Sequence, residues 1–224
     1  MSALQVPPSI AKIAPDGNLT PRQLRGLMIE MVRRRVKPGA GSSPEFLKRR
    51  TAMISWPDLR PILAGVPWAL VSGVATRAYM AERATKDMDI IVHERDGKAV
   101  IARLQEAGYQ LVSPLAIPGY VLRSPDGTEV DVIFGRYRWL EQALSAPKQD
   151  PAGYPVVGLP YLVMLKMESQ RPQDWADVSR MLGWASEADL DEVRKIIKKF
   201  APEDMEDIES LIFIGKKERE NPIG

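Results

Sequence analysis

Two aspartates at the head of an apolar run constrain this chain more than any other feature. Asp87-Met88-Asp89 leads into Ile90-Ile91-Val92, and an earlier apolar run, Trp68 to Val71, is closed by Ser72-Gly73. Side chains alternate faces along a strand, so Asp87 and Asp89 point one way while Met88 and Ile90 point the other. Two carboxylates aimed together repel unless a cation sits between them. Taken alone, an Asp-x-Asp pair is also an ordinary polar strand edge, and its meaning depends on its surroundings.

Composition removes several classes of chemistry. A chain of 224 residues forms one large domain or two small ones. Its 45% hydrophobic and 27% charged residues are those of an ordinary globular protein. With no cysteine there is no disulfide framework, thiolate metal site or cysteine nucleophile. His93 is the single histidine, which rules out a metal centre needing two. No apolar run reaches the roughly 18 residues of a membrane span. The N-terminus has no basic stretch followed by an apolar one, so the expectation is a cytoplasmic protein without membrane contact. Charge is uneven: residues 1–60 hold 11 Lys/Arg against 4 Asp/Glu, the remainder 20 against 25. A basic segment of this kind suits an anionic partner such as nucleic acid, and equally a solvated helix face.

Periodicity and punctuation predict the elements. Residues 1–19 carry Pro-Pro and Asp-Gly breaks and read as an extended or poorly ordered arm. Thr20-Pro21 reads as an N-cap with proline at the first helical position, opening a helix to about Val36. Ser43-Pro44-Glu45 starts another by the same chemistry. Trp68–Val71 and Asp87–Val92 are strands, and a helix runs from the Asp96-Gly97 break to about Ala107. Tyr109–Val112 is a short strand. Gly119–Arg123 and Thr128–Phe134 are strands joined by Ser124-Pro125-Asp126-Gly127, a strong hairpin signal. From Tyr161 the pattern is helical: Arg171-Pro172-Gln173-Asp174 opens one helix, and about Asp189–Phe200 and Pro202–Phe213 are two more. The resulting expectation is an α+β chain. It has a basic arm with helices over 1–60, a mixed sheet flanked by helices over 61–158, a C-terminal helical bundle over 159–215 and a polar tail over 216–224.

In Thr128–Phe134, Val130 and Val132 share one face, and Asp131 shares the other with Glu129 and Ile133. An acid within a run of Val, Ile and Phe is expensive to bury without a partner. If this strand pairs beside Asp87–Val92, three carboxylates converge. Such a set suits hard divalent cations, with Mg²⁺ the usual choice where phosphates share the coordination. Two metals bridged by carboxylates suit in-line attack on phosphorus.

The pattern S-G-V-A-T at 72–76, R-x-T-K-D-x-D at 83–89 and E-V-D-V at 129–132, then L-K at 165–166 with R-P-x-D-x-x-D at 171–177, resembles the DNA-polymerase-β-like nucleotidyltransferases. It is most similar to the minimal bacterial and archaeal branch that includes abortive-infection, type IV toxin-like proteins. The resemblance spans Trp68 to Leu182 and implies a nucleotidyltransferase-like fold. It also implies transfer of a nucleoside monophosphate from an NTP to a hydroxyl with Mg²⁺ or Mn²⁺, releasing pyrophosphate. By the same resemblance Ser72-Gly73 takes the place of the glycine turn that cradles the triphosphate, with serine where the first glycine usually stands. Asp87 and Asp89 would hold the metals, and Asp131 would complete the second site and help deprotonate the attacking hydroxyl. Arg83 and Thr85 match the R-x-T that leads into the acid pair, with a solvated arginine and a strand-start threonine as the plain alternative. Lys166 falls where the branch has a lysine that reaches the triphosphate, or is a snorkelling surface lysine. Asp174 and Asp177 share a helix face and frame the same cleft, unless Asp174 only complements the helix dipole. The implied acceptor is an RNA such as tRNA, or a protein, and an antitoxin partner goes with the toxin-like branch. Two alternatives stand beside this: a non-catalytic nucleotide- or nucleic-acid-binding protein on the same fold, and a small-molecule transferase of the aminoglycoside type.

Overall fold

The computed structural model describes residues 5–35, 56–81, 85, 87–169 and 171–220. The predicted helix at Ser43 and the position of Arg83 lie outside them. The chain forms two compact units, one of residues 43–162 and one of residues 1–42 with 163–224.

The first unit is built on a seven-stranded mixed sheet. Its strands are β1 (Trp68–Val71), β2 (Asp87–His93), β3 (Gln110–Pro114), β4 (Gly119–Arg123), β5 (Glu129–Gly135), β6 (Lys148–Gln149) and β7 (Pro155–Val156), in the order β3-β4-β5-β2-β1-β7-β6. Three helices accompany them: α3 (Ser72–Ala75), α4 (Glu94–Glu106) and α5 (Leu140–Ser145). β2 lies between β1, antiparallel to it, and β5, parallel to it. The apolar alternation sets the sheet's inner face: Met88, Ile90, Val92, Leu122, Val130 and Val132 are fully buried. Burying each such side chain contributes about 1.5–3 kcal/mol. α4 packs against β2 and β5. It comes so close at Gly97 that an added Cβ would sit 2.6 Å from the Phe134 ring. The face opposite α4 is therefore the one left to the acids, since Phe134 alternates with Asp131 and Ile133.

The Ser124–Gly127 turn closes the β4–β5 hairpin as its composition predicts. Gly127 adopts φ 91°, which favours glycine, and the Ser124 hydroxyl accepts from the Thr128 N–H at 2.9 Å.

The second unit is helical: α1 (Pro8–Ala11), α2 (Pro21–Arg35), most of α6 (Leu159–Ser169), α7 (Pro172–Trp184), α8 (Glu187–Phe200) and α9 (Met205–Glu220). Thr20 caps α2 as expected. The Gln23 N–H donates to Thr20 Oγ1 at 3.3 Å while Gln23 Oε1 accepts from the Thr20 N–H at 2.9 Å, a reciprocal capping box. Ser186 and Asp189 cap α8 in the same way. The closest helix pair is α7 with α9, where a Cβ on Gly215 would lie 1.9 Å from the Ser179 carbonyl oxygen. The expectation of a poorly ordered arm over residues 1–19 is corrected from residue 5 onward. Ile10 on α1 is fully buried, and the Ser9 hydroxyl lies 2.6 Å from that of Ser210. Pro7-Pro8 starts α1 instead of preventing order, because proline is tolerated in the first helical turn.

Candidate active site

β1, β2 and β5 place the acids by their register alone. Asp89 is paired with Val71 on one side and with Asp131 on the other, and Asp87 is paired with Glu129. A parallel pairing keeps directly opposed residues on one face, so Asp87, Asp89 and Asp131 converge. One carboxylate oxygen from each lies within 4.8 Å of the other two. All three residues are partly buried. Burial pushes the Asp131 carboxyl up to about 6, and the charges of Asp87 and Glu129 add to the effect. The Thr85 hydroxyl donates to Asp87 Oδ1 at 3.2 Å, fixing the first acid's orientation.

The turn at the end of β1 sits beside this cluster, because Val71 is the register partner of Asp89 and α3 packs against β2. Ser72 is the one described non-glycine residue with positive φ, at 60°. That conformation costs an L-residue on the order of 1–2 kcal/mol, and it concentrates at functional sites. A glycine in this position would adopt the same backbone without that cost. Gly73, next in the chain, is buried. The Thr76 hydroxyl donates to the Gly73 carbonyl at 2.7 Å and closes the short helix behind the turn.

Lys166 and Asp174 belong to the helical unit. Lys166 is 2% exposed, so it is not a snorkelling surface lysine. Its ammonium donates to Asp174 Oδ1 at 2.7 Å and Asp177 Oδ2 at 2.8 Å. Asp174 also accepts from the Ser169 hydroxyl and from Arg171 Nε, both at 2.6 Å. Burial would raise the Asp174 carboxyl, but Lys166 and Arg171 outweigh it and hold it below the usual carboxylate range. Together Lys166, Asp174 and Asp177 form a buried ion cluster across the α6–α7 bend.

Two side chains just after the turn, Arg77 and Tyr79, escape sequence reasoning. Arg77, in the 3-10 turn Thr76–Ala78 that directly follows α3, donates through Nε to Asp150 at 2.5 Å. Tyr79 donates to the Val157 carbonyl at 2.7 Å. Their partners lie 73 and 78 residues away, so no local pattern announces them.

The sequence matches neither a protein-family model nor a curated protein. Solved structures similar to the chain include the solution structure of the antibiotic-resistance factor ANT(2'')-Ia. It has 14% identity over 73% of this chain and 94% of that one, with a TM-score of 0.39. A crystal structure of ANT(2'')-Ia in complex with adenylyl-2''-tobramycin has 16% identity over 71% and 96%, with a TM-score of 0.38. Likenesses this distant leave the functional argument to the residues themselves.

Proposed function

We propose that the chain is a divalent-metal-dependent nucleotidyltransferase, moving a nucleoside monophosphate from an NTP to a hydroxyl with release of pyrophosphate. The observation that carries this reading is the convergence of Asp87, Asp89 and Asp131 from two parallel strands, next to a Ser72-Gly73 turn in which Ser72 is left-handed. The donor set fits Mg²⁺ or Mn²⁺: three hard oxygen ligands with no histidine or thiolate among them, and like charges crowded enough to raise Asp131. When bound there, the cation supplies charge neutralisation for the triphosphate and the developing negative charge. The chain's own residues supply the rest. The backbone N–H groups of the turn would meet the triphosphate, and the Thr85 hydroxyl bonds Asp87, which would hold the cation. Asp131, ionised at neutral pH but with its proton affinity raised by burial, is suited to accept a proton from the attacking hydroxyl. Phosphoryl chemistry of this kind asks for positioning and electrostatics more than covalent catalysis.

The acceptor reading rests on charge. RNA is favoured by the basic residues 1–60, while a toxin role with an antitoxin partner in the cytoplasm is supported only by the resemblance to the toxin-like branch. A small-molecule acceptor is favoured by the sheet face itself. On the rung of the sheet beside Asp87, the residue following Glu129 is Arg123, whose charge is already engaged by Glu129 at 3.0 Å. That leaves β4 and β5 little to offer a phosphate backbone. Among the described residues no helix is long and apolar enough to cross a membrane.

Incubation with each α-labelled NTP, Mg²⁺ or Mn²⁺, and either total RNA or a small-molecule extract decides between the acceptors. A labelled acceptor that disappears with Asp87→Ala is the expected result. No transfer to either pool under any nucleotide and metal would favour the non-catalytic binding reading instead.

A further inference from the structure

The segment behind the Ser72-Gly73 turn is tied through Arg77 and Tyr79 to residues 73 and 78 positions away. Arg77 reaches Asp150, whose side chain is completely buried, and the guanidinium is itself only 12% exposed. Asp150 is in turn fixed by the backbone N–H groups of Ala152 at 2.9 Å and Tyr154 at 2.8 Å. The Tyr154 ring lies under both Arg77 and Arg60, with guanidinium carbons 5.4 and 4.8 Å from its centroid. Tyr79 adds a bond to the Val157 carbonyl, at the end of β7. Val157 N–H donates back to Leu70 on β1, so the β7 end and the β1 end are joined just before the turn. Two anchors thus converge on the segment that follows the one left-handed serine.

We propose that Arg77 and Asp150 are positioning residues for the triphosphate-binding turn, holding Ser72 in the left-handed conformation that serine does not adopt freely. This rests on the nucleotidyltransferase reading and deepens it, by assigning the Arg77–Asp150 pair to the support of that site. The physical logic is compensation. A glycine at 72 enters positive φ without steric cost, so a glycine turn needs no brace. A serine turn does, and a buried charge pair gives a stiff one, because removing either partner leaves the other charge buried and unpaired. The brace acts on the backbone N–H groups that face the phosphates, so its loss weakens binding of any triphosphate whatever its base.

The test uses Mg²⁺-tripolyphosphate, which has no base or sugar, alongside Mg²⁺-ATP, with affinity measured by calorimetry on the full chain. Arg77→Met is expected to weaken both about tenfold or more, with Mn²⁺ binding in the absence of phosphate unchanged. In a Ser72→Gly background the same change is expected to cost less than about threefold, and Arg77→Lys is expected to restore part of the affinity. Should Arg77→Met fail to fold, Tyr79→Phe, which removes the hydroxyl that bonds Val157, takes its place with the same expected dependence on residue 72. A wild-type chain that binds neither triphosphate overturns the nucleotidyltransferase reading and this proposal with it. A wild-type chain that binds, with Arg77→Met binding equally well or losing equally in both backgrounds, overturns the bracing proposal alone.

Discussion

Asp131→Asn should make the metal-free protein more stable at neutral pH, although it removes a residue at the centre of the site. The Asp131 carboxyl titrates at about 6 in the folded chain against an ordinary value of 3.8. The folded state therefore holds its proton more tightly than the unfolded state does. Below pH 4 both states are protonated and there is no penalty. Between about 4 and 6 the unfolded chain ionises first, so stability falls as pH rises, and above 6 the penalty is complete. Two units correspond to about 3 kcal/mol. Solvent reaches a partly exposed carboxylate, and the amide that replaces it is itself partly desolvated, so a net gain of about 1 kcal/mol is the realistic figure. Urea denaturation of both proteins from pH 4 to 8 reads it directly. The two should coincide at pH 4 and diverge by pH 7, with the variant higher. Mn²⁺ should reverse the order, because a ligand at a hundred times its dissociation constant adds about 2.7 kcal/mol to the form that binds it. Destabilisation by Asp131→Asn at pH 7 without metal, or equal stabilisation of both proteins by Mn²⁺, would refute the reasoning.

Other perturbations separate structural residues from those of the site. Lys166→Ala leaves Asp174 and Asp177 buried without their cation, and a loss of about 3–5 kcal/mol is expected in thermal or urea unfolding. Acidification should erode the same cluster: Asp174 is held below its ordinary value, so its contribution is present above about pH 4 and disappears as pH falls further. Gly215→Ala forces a methyl into the Ser179 carbonyl and should lower stability by about 1–3 kcal/mol or displace α9 from α7, read as a drop in Tm.

The sheet was legible because its signals are local. Alternation in Thr128–Phe134, the Ser-Pro-Asp-Gly turn and the acid-headed apolar run each fix a strand and its facing. The observed β2, β4 and β5 follow those boundaries within a residue or two. Convergence of Asp131 with the Asp87–Asp89 pair was legible only as a condition, since strand order is a long-range choice that periodicity does not encode; the β2–β5 register meets that condition. Lys166 illustrates the opposite case. Its spacing to Asp174 and Asp177 fits a ligand-binding helix and a buried ion cluster equally well, and only packing distinguishes them. Arg77 and Asp150 carried no signal, because an arginine on a short helix and an aspartate in a Gln-Asp-Pro turn are each unremarkable until the fold joins them. Ser72 stands where the resemblance implies a glycine, and its φ of 60° lies in the left-handed region that a serine in sequence does not announce.

The central claim is that Asp87, Asp89 and Asp131 organise a divalent cation for attack at the α-phosphorus of an NTP. Parallel reactions with α-labelled and γ-labelled nucleotide in Mn²⁺, on wild type and Asp89→Asn, test it most directly. The account predicts α-label on the acceptor, γ-label released as pyrophosphate, and neither with Asp89→Asn. Transfer of γ-label to the acceptor, or undiminished α-transfer by Asp89→Asn, would contradict it.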